Sequence, residues 1–146
     1  MKKQDAKKRV QAFESLCRER GLPVTVQRRE ILETVLGQDD HPTADQLYDA
    51  LSGRIPGLWR MTVYRVLSML VEMGIIGRLH HPGTVARFDG REDRHHHLIC
   101  GRCGKVIDIQ DTRCDGLPLP NISNHEFEIE DFSVHFSGIC SECRRV

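Results

Sequence analysis

The chain has 146 residues, and its 21 Lys and Arg side chains are balanced by 21 Asp and Glu, so its formal net charge is zero at pH 7. This length suits one ordinary domain or two small ones and excludes a large multidomain enzyme. Hydrophobic residues make up 39% and charged residues 29%, which is typical of globular proteins and too apolar for general disorder. No apolar run approaches the ~20 residues that cross a bilayer, and the polar N-terminal segment does not resemble a secretory signal. We therefore expect a cytoplasmic protein with no membrane partner.

Cysteine and histidine are unusually frequent, with six Cys and eight His. This composition is typical of metal sites, because paired Cys in a reducing cytoplasm bind metal more often than they form disulfides. The two halves also differ in charge: residues 1–82 carry 13 basic and 10 acidic side chains, whereas residues 83–146 carry 8 and 11. Five of the Cys and five of the His lie in the second half. We infer two functional halves with different partners.

Apolar residues recur at helical spacing in four segments of the first half, and capping or turn residues bound them. The predicted helices cover Asp5–Arg20, Thr25–Gly37, a segment opened by the capping box Thr43–Gln46, and Arg60–Met73. Two β-like runs follow, Ile75–His80 and Val85–Asp89, joined by the turn sequence His81–Thr84. Helices followed by a short hairpin predict a winged helix-turn-helix over residues 1–89.

The second half contains three runs of alternating apolar residues, which predict β-strands. They are His95–Cys100, Lys105–Ile109 and Glu126–Gly138. The polar segment Gly90–Arg94 is the natural hinge between the halves. The predicted fold class is therefore α+β, with a second small domain over residues 90–146.

Two Cys-x-x-Cys knuckles, Cys100–Cys103 and Cys140–Cys143, are the strongest motif in the chain. A two-residue spacer lets both sulfurs of a knuckle reach one ion, so two knuckles can present four thiolates to Zn²⁺. Four sulfurs leave no open position, so this zinc would be structural; two disulfides or redox pairs are the alternative. Of the remaining thiols, we expect Cys17 in the core and Cys114 exposed in a loop.

A histidine cluster precedes the first knuckle. On a strand, His95 and His97 project to one face and His96 to the other, so two imidazoles converge. Asp89 ends the preceding hairpin, and Asp108 lies on the strand after the first knuckle. Imidazoles and carboxylates suit Fe²⁺, Mn²⁺ or Zn²⁺. A solvated His cluster without metal explains the pattern equally well.

The first turns of the fourth helix contain candidate DNA contacts. Val63 and Val66 belong to the apolar stripe that this helix is expected to bury. Thr62, Tyr64 and Arg65 are left available to solvent or DNA, and a recognition helix contacts base edges with its N-terminal residues. Every amphipathic helix has an exposed face, so a solvated surface is the alternative.

Several motifs, in their order along the chain, resemble the ferric uptake regulator (Fur) family. They are Thr62–Leu67, Gly74–Ile76, Arg87–Asp89, His95–Asp108 and the closing Cys140–Cys143. The resemblance covers nearly the whole chain from Gly21–Thr25 onward. It implies a homodimeric, metal-activated repressor with an N-terminal winged helix and a C-terminal dimerisation domain. It also implies a structural zinc and a regulatory metal at the hinge.

Carried over by position, the resemblance implies two ligand sets. The structural zinc would be bound by Cys100, Cys103, Cys140 and Cys143, and the regulatory Fe²⁺ or Mn²⁺ by His41, Asp89, His95, His97 and Asp108. His41 would come from the DNA-binding domain and the other ligands from the hinge and dimerisation domain. Binding of the ion would then fix the angle between the two domains.

The branch of the family is indicated by the carboxylates. Asp89 and Asp108 resemble the peroxide-sensing branch, whereas Thr62–Arg65 looks more like an iron-uptake recognition helix. We therefore expect a peroxide sensor, not an enzyme, in which Fe²⁺-driven oxidation of His41 or His95 releases an inverted-repeat DNA operator, and Mn²⁺ activates without oxidation. The alternative is an iron-responsive repressor of iron-uptake genes. A non-haem iron oxygenase would need a substrate pocket that no stretch of the sequence provides.

The chain departs from the family pattern at three places, and each departure predicts a structural difference. Pro23 stands where relatives usually have a basic residue that reaches the minor groove, which places that contact in question. Pro118 and Pro120 fall where a dimer-domain helix is expected, and each would cost ~3 kcal/mol or more inside a helix. That helix should be shortened or lost. His96 and Phe132 occupy positions of a second hinge-region metal cluster, so this extra site should be absent.

Overall fold

The computed structural model describes residues 3–146, and these divide into two compact units whose boundary lies between Glu92 and Asp93. Within this range the first unit contains four helices and a two-stranded sheet, and the second a three-stranded sheet and two short helices. The mixed helix and strand content confirms the α+β class. None of the helices in residues 3–146 combines the length and apolar character needed to span a bilayer.

The first unit begins with four helices whose apolar faces form one core. They are α1 (Lys3–Glu19), α2 (Val26–Leu36), α3 (Ala44–Leu51) and α4 (Arg60–Glu72). The hydroxyl of Thr25 accepts the Arg28 N–H at the start of α2, and Thr43 with Gln46 forms the predicted capping box of α3. The fully buried side chains include Phe13, Ile31, Leu32, Leu47, Leu51, Leu67 and Leu70, together with Cys17 as predicted.

An antiparallel hairpin completes the winged helix-turn-helix. Strand β1 (Gly77–Leu79) pairs with β2 (Arg87–Asp89) in the register Gly77 to Asp89 and Leu79 to Arg87. Both strands are shorter than predicted. The β2 strand also contacts the segment before α3, because the Phe88 N–H donates to the Pro42 carbonyl at 3.0 Å.

The second unit is built on a sheet with the order β4-β3-β5. Strand β3 (His96–Cys100) lies at its centre, antiparallel to β4 (Val106–Ile109) and parallel to β5 (His135–Gly138). Two short helices, α5 (Thr112–Asp115) and α6 (Ser141–Arg144), follow β4 and β5 respectively. The helix expected near Pro118 and Pro120 is indeed reduced to the single turn α5.

Two predictions about the second unit are wrong. The strand predicted over Glu126–Gly138 is present only as β5, because β3 begins at His96 and offers no earlier residues for pairing. Glu126 also has a φ of 47°, which lies outside the extended region. Cys114 is 9% exposed rather than an exposed loop thiol, because the turn capped by Asp111 directs it inward.

Candidate metal centres and nucleic-acid interface

The four knuckle sulfurs lie together at one end of the second unit's sheet. Cys100 ends β3, Cys103 lies in the turn before β4, and Cys140 and Cys143 belong to the α6 turn. Their sulfurs all lie within 4.8 Å of one another, and the Sγ atoms of Cys103 and Cys140 are 3.8 Å apart. Tetrahedral zinc with Zn–S bonds of ~2.3 Å separates its sulfurs by about 3.8 Å, so the donor set fits Zn²⁺. All Cys of the described chain are free thiols, not disulfides.

Hydrogen bonds give the thiols of this group different pKa values. The backbone N–H groups of Cys103 and Cys140 donate to Cys100 and lower the pKa of its thiol to about 6. The side chain of Cys140, followed by that of Cys103, raises the pKa of Cys143 to about 12. Cys100 is therefore the sulfur most readily present as a thiolate, the form that binds metal. Binding of an ion by all four sulfurs must release protons.

Within the first unit, His41 and Asp89 form a buried imidazole–carboxylate pair. Their side chains are 3% and 8% exposed, and His41 Nε2 lies 3.5 Å from Asp89 Oδ2. The other carboxylate oxygen, Oδ1, accepts the Arg91 N–H at 2.9 Å. His41 has a φ of 53°, a left-handed conformation that costs energy outside glycine. Such strain often marks a residue whose position is functional.

Backbone contacts of β2 position this pair. Arg87 donates from Nη1 to the His41 carbonyl at 3.0 Å, and Thr43 forms an isolated bridge with Arg87. Gly90 follows Asp89 and packs against Leu36 so closely that a Cβ there would lie 3.0 Å from Leu36 Cδ2. The backbone is therefore fixed on both sides of Asp89, which limits the positions that its carboxylate can take.

Within the second unit, His95, His97 and Asp108 come together. His97 and Asp108 are directly paired across β3 and β4, and the Asp108 Oδ1 atom lies 3.5 Å from His97 Nε2 and 3.6 Å from His95 Nε2. These distances exceed an ordinary hydrogen bond of ~2.7–3.2 Å. Ligands bonded at ~2.1 Å to one ion lie ~3.0–3.4 Å apart, so the three side chains are close to the spacing of a shared cation.

His96 points away from this group, as the strand alternation predicts. It is fully buried, and its Nε2 atom lies 2.9 Å from Asp115 Oδ1. Its Nδ1 atom accepts the Val134 N–H at 3.1 Å. The middle histidine therefore belongs to a separate hydrogen-bonded network of the second unit.

The predicted DNA-contacting residues lie on α4. Thr62 is half-buried, Tyr64 is 40% exposed, and Arg65 is exposed. The Tyr64 hydroxyl lies 3.4 Å from Asp45 Oδ1, and the same carboxylate forms an ion pair with Arg60, which raises the pKa of that guanidinium. The hydroxyl of Tyr64 is therefore oriented by α3.

Two apolar side chains at the start of α4 are exposed, which was not predicted from the sequence. Trp59 is 75% exposed and Met61 is 59% exposed. The sequence does contain a sign of this, because Trp59 directly precedes the predicted helix at the N-cap position, where Ser, Thr, Asp or Asn is preferred.

Comparisons with known proteins agree with these features. The model of the ferric uptake regulator family matches residues 19–137. The peroxide-responsive repressor PerR of Staphylococcus epidermidis is 31% identical over 129 residues, which are 87% of this chain and 85% of that protein.

Solved structures give the same result. The Vibrio cholerae ferric uptake regulator is 31% identical and matches with a TM-score of 0.66 over 86% of this chain and 98% of its own. The Helicobacter pylori regulator, described as having three functional metal binding sites, shares the fold at a TM-score of 0.80, with 19% identity, over 95% of this chain and 93% of its own. Since the family model spans most of the sequence, this chain belongs to the ferric uptake regulator family.

Proposed function

We propose that this protein is a metal-dependent transcriptional repressor that acts in the cytoplasm, binds operator DNA as a homodimer and responds to peroxide. The observation that carries the proposal is the convergence of His95 and His97 on the Asp108 carboxylate, within a chain of this family. Similarity to a peroxide-responsive repressor over most of both chains supports the choice of signal.

The four knuckle cysteines are proposed to bind a structural Zn²⁺. Their sulfur donors suit zinc, and the four sulfurs leave no coordination position for a substrate or water. Cys100 ends the central strand, whereas Cys140 and Cys143 lie close to the C-terminus. An ion held by all of them would fasten the C-terminal segment to the sheet.

A regulatory Fe²⁺ or Mn²⁺ is proposed to be bound by His41, Asp89, His95, His97 and Asp108. Nitrogen and carboxylate oxygen donors suit these cations better than the sulfur site does. The first two residues belong to the first compact unit and the other three to the second. An ion shared by both sets would couple metal binding to the arrangement of the DNA-binding domain.

The protein's own groups prepare this site. The Arg91 N–H orients the Asp89 carboxylate, and the strand pairing of β3 with β4 orients His97 toward Asp108. Bound Fe²⁺ would supply peroxide-driven oxidation of a histidine ligand, for which His41 and His95 are the candidates. Loss of one imidazole donor would lower the affinity for the metal, and by linkage it would lower the affinity for operator DNA.

An iron-responsive repressor of iron-uptake genes is the second candidate. The similarity to the Vibrio cholerae ferric uptake regulator and the segment Thr62–Arg65 favour it. Such a repressor would lose its metal when iron is scarce and would need no oxidation chemistry.

Mass spectrometry after peroxide treatment separates the two candidates. The protein is loaded with Fe²⁺ or, as a control, with Mn²⁺, and its digested peptides are compared. A gain of one oxygen atom on the peptide of His41 or His95, with Fe²⁺ only, supports peroxide sensing. Unmodified histidines in both samples would favour the iron-responsive alternative.

The same sample tests the expectation that the protein is not an enzyme. A sensor reacts once per bound ion, whereas an oxygenase consumes O₂ repeatedly in the presence of a substrate. Oxygen uptake that continues far beyond one equivalent per chain would contradict a purely regulatory role.

A further inference from the structure

A large side chain at the N-terminal end of α4 is exposed instead of being packed in the core. Trp59 is the N-cap residue of this helix and the only tryptophan of the chain. It is 75% exposed and has extended backbone angles, with φ −97° and ψ 143°. The indole therefore stands in solvent where the helix begins.

The same helix end lacks a side-chain cap. Trp59 makes no capping hydrogen bond, whereas Thr25 caps α2 and Thr43 caps α3 through their hydroxyls. Ser, Thr, Asp or Asn at this position would stabilise the helix, and an exposed indole gains nothing from burial. Where a chain breaks a local stability rule without a compensating contact, a functional role is the expected reason.

The surroundings of Trp59 suit a DNA major groove. The first turn of α4 contains no acidic residue of its own, and its Arg60 pairs with Asp45 of α3. Met61, two residues later, is also apolar and 59% exposed, and the exposed Arg65 follows one turn after it. The apolar feature that a major groove offers is the C5-methyl group of thymine.

We propose that Trp59 is a specificity-determining residue whose indole packs against thymine methyl groups of the operator. This inference rests on the proposed DNA-binding function. It extends that function by naming a base and a contact that differ from the polar contacts expected of Thr62, Tyr64 and Arg65.

The test begins with a duplex selected from a random pool by the full-length, Mn²⁺-loaded protein. The single tryptophan then reports on itself through its fluorescence. Binding of the selected duplex, followed by anisotropy of a dye on the DNA, should protect Trp59 from quenching by acrylamide. Undiminished quenching at saturating duplex would overturn the proposal.

Variants make the test specific for the thymine methyl. Trp59→Ser supplies a capping hydroxyl, so it should keep or raise the thermal midpoint while weakening binding to the selected duplex roughly tenfold. Trp59→Phe should retain most of the affinity. Replacing the half-site thymines with uracil, which lacks only the methyl, should weaken wild-type binding and leave Trp59→Ser unaffected. Equal sensitivity of both proteins to uracil, or unchanged affinity of Trp59→Ser, would refute the contact.

Failure of the proposed function looks different from failure of this inference. If no duplex is enriched by the Mn²⁺-loaded protein, sequence-specific DNA binding itself is wrong. If a duplex is enriched and Arg65→Ala weakens its binding while Trp59→Ser does not, only the role of Trp59 is wrong.

Discussion

The buried imidazole of His96 is hydrogen-bonded to the carboxylate of Asp115, with Nε2 and Oδ1 2.9 Å apart. Asp115 in turn lies 3.4 Å from the Nε atom of Arg94, whose guanidinium also approaches Asp131 at 3.5 Å. The same guanidinium stacks over the Phe132 ring at 4.5 Å. Arg94 thus places a permanent positive charge in this cluster. The family pattern led us to expect that no second hinge-region metal is bound here.

The Arg94 cluster should stabilise the second unit to a modest degree. Arg94→Met removes the cation–π contact and both ion pairs but keeps a long apolar side chain. Because Arg94 is about half exposed, we expect a loss of ~1 kcal/mol in unfolding free energy. Chemical denaturation followed by circular dichroism measures this change.

Arg145→Met is the matched control for this variant, because Arg145 is exposed near the C-terminus and should tolerate the change. A loss in Arg145→Met as large as that in Arg94→Met would show that the cluster contributes nothing specific. The metal content of the purified protein, by elemental analysis, should be two ions per chain. A third tightly bound ion would contradict the assignment of this cluster as metal-free.

The helices of the first unit could be predicted from the sequence because their signals are local. Thr25 and the Thr43–Gln46 capping box begin helices where the pattern indicates, and apolar residues at helical spacing are the ones that are buried. Strand limits depend instead on a partner strand. The ladder between β3 and β5 covers only His97–Cys100 and His135–Gly138, which no local pattern around Glu126 reveals.

The candidate site likewise has features that the sequence predicts locally and features that depend on a partner distant in the chain. Alternation along a strand correctly separates His95 and His97 from His96, because side-chain direction in a strand has period two. The partner of His96 could not be predicted, because Asp115 reaches it only through the turn after β4. Cys114 was misplaced for the same reason: a single helical turn in a loop-like sequence decides which side chains are buried.

Removal of one knuckle sulfur tests the zinc site. Cys103→Ser should release zinc and lower the thermal midpoint of the second unit, since ~10–16 kcal/mol of apparent binding energy is coupled to folding in small zinc sites. Zinc release is measured with a chromogenic chelator. Cys114→Ser, in the same unit but outside the four-sulfur group, should keep its zinc. Complete zinc retention by Cys103→Ser would be incompatible with the assignment.

The exposed Arg65 tests the recognition helix. Arg65→Ala should weaken binding to a selected inverted-repeat duplex by ~1–3 kcal/mol if the guanidinium makes a bidentate contact to a base. Anisotropy titrations compare this duplex with a random duplex of equal length, and Arg113→Ala in the second unit is the control. The same loss on both duplexes would mean that Arg65 contacts only phosphates.

Close packing at Gly90 tests how Asp89 is positioned. A Cβ at this residue would lie 3.0 Å from Leu36 Cδ2 and 3.3 Å from Leu36 Cα, so Gly90→Ala should cost ~1–3 kcal/mol by overpacking. Displacement of Asp89 should also weaken Mn²⁺ binding, measured by isothermal titration. Gly53→Ala is the matched control, because a Cβ there meets nothing within 4 Å. Equal effects of the two substitutions would refute the positioning role.

His41 tests whether one ion couples metal binding to DNA binding. A ligand shifts a conformational equilibrium only by its differential affinity for the two states, commonly ~1–3 kcal/mol. Mn²⁺ should therefore tighten binding of the selected duplex by ~5–150-fold, and the duplex should tighten Mn²⁺ binding by the same factor. His41→Ala should remove most of this coupling while leaving the fold and the four-sulfur zinc site intact.

The control for His41→Ala must be a histidine outside every network. His96→Ala, which strand alternation alone would recommend, is unsuitable because His96 is fully buried and bonded to Asp115 and to the Val134 N–H. The exposed His125 provides the neutral comparison. Duplex titrations with and without Mn²⁺ should show full coupling in His125→Ala and almost none in His41→Ala. If His41→Ala keeps the wild-type dependence on Mn²⁺, the regulatory ion does not use the imidazole of the first unit, and the five-ligand assignment is wrong.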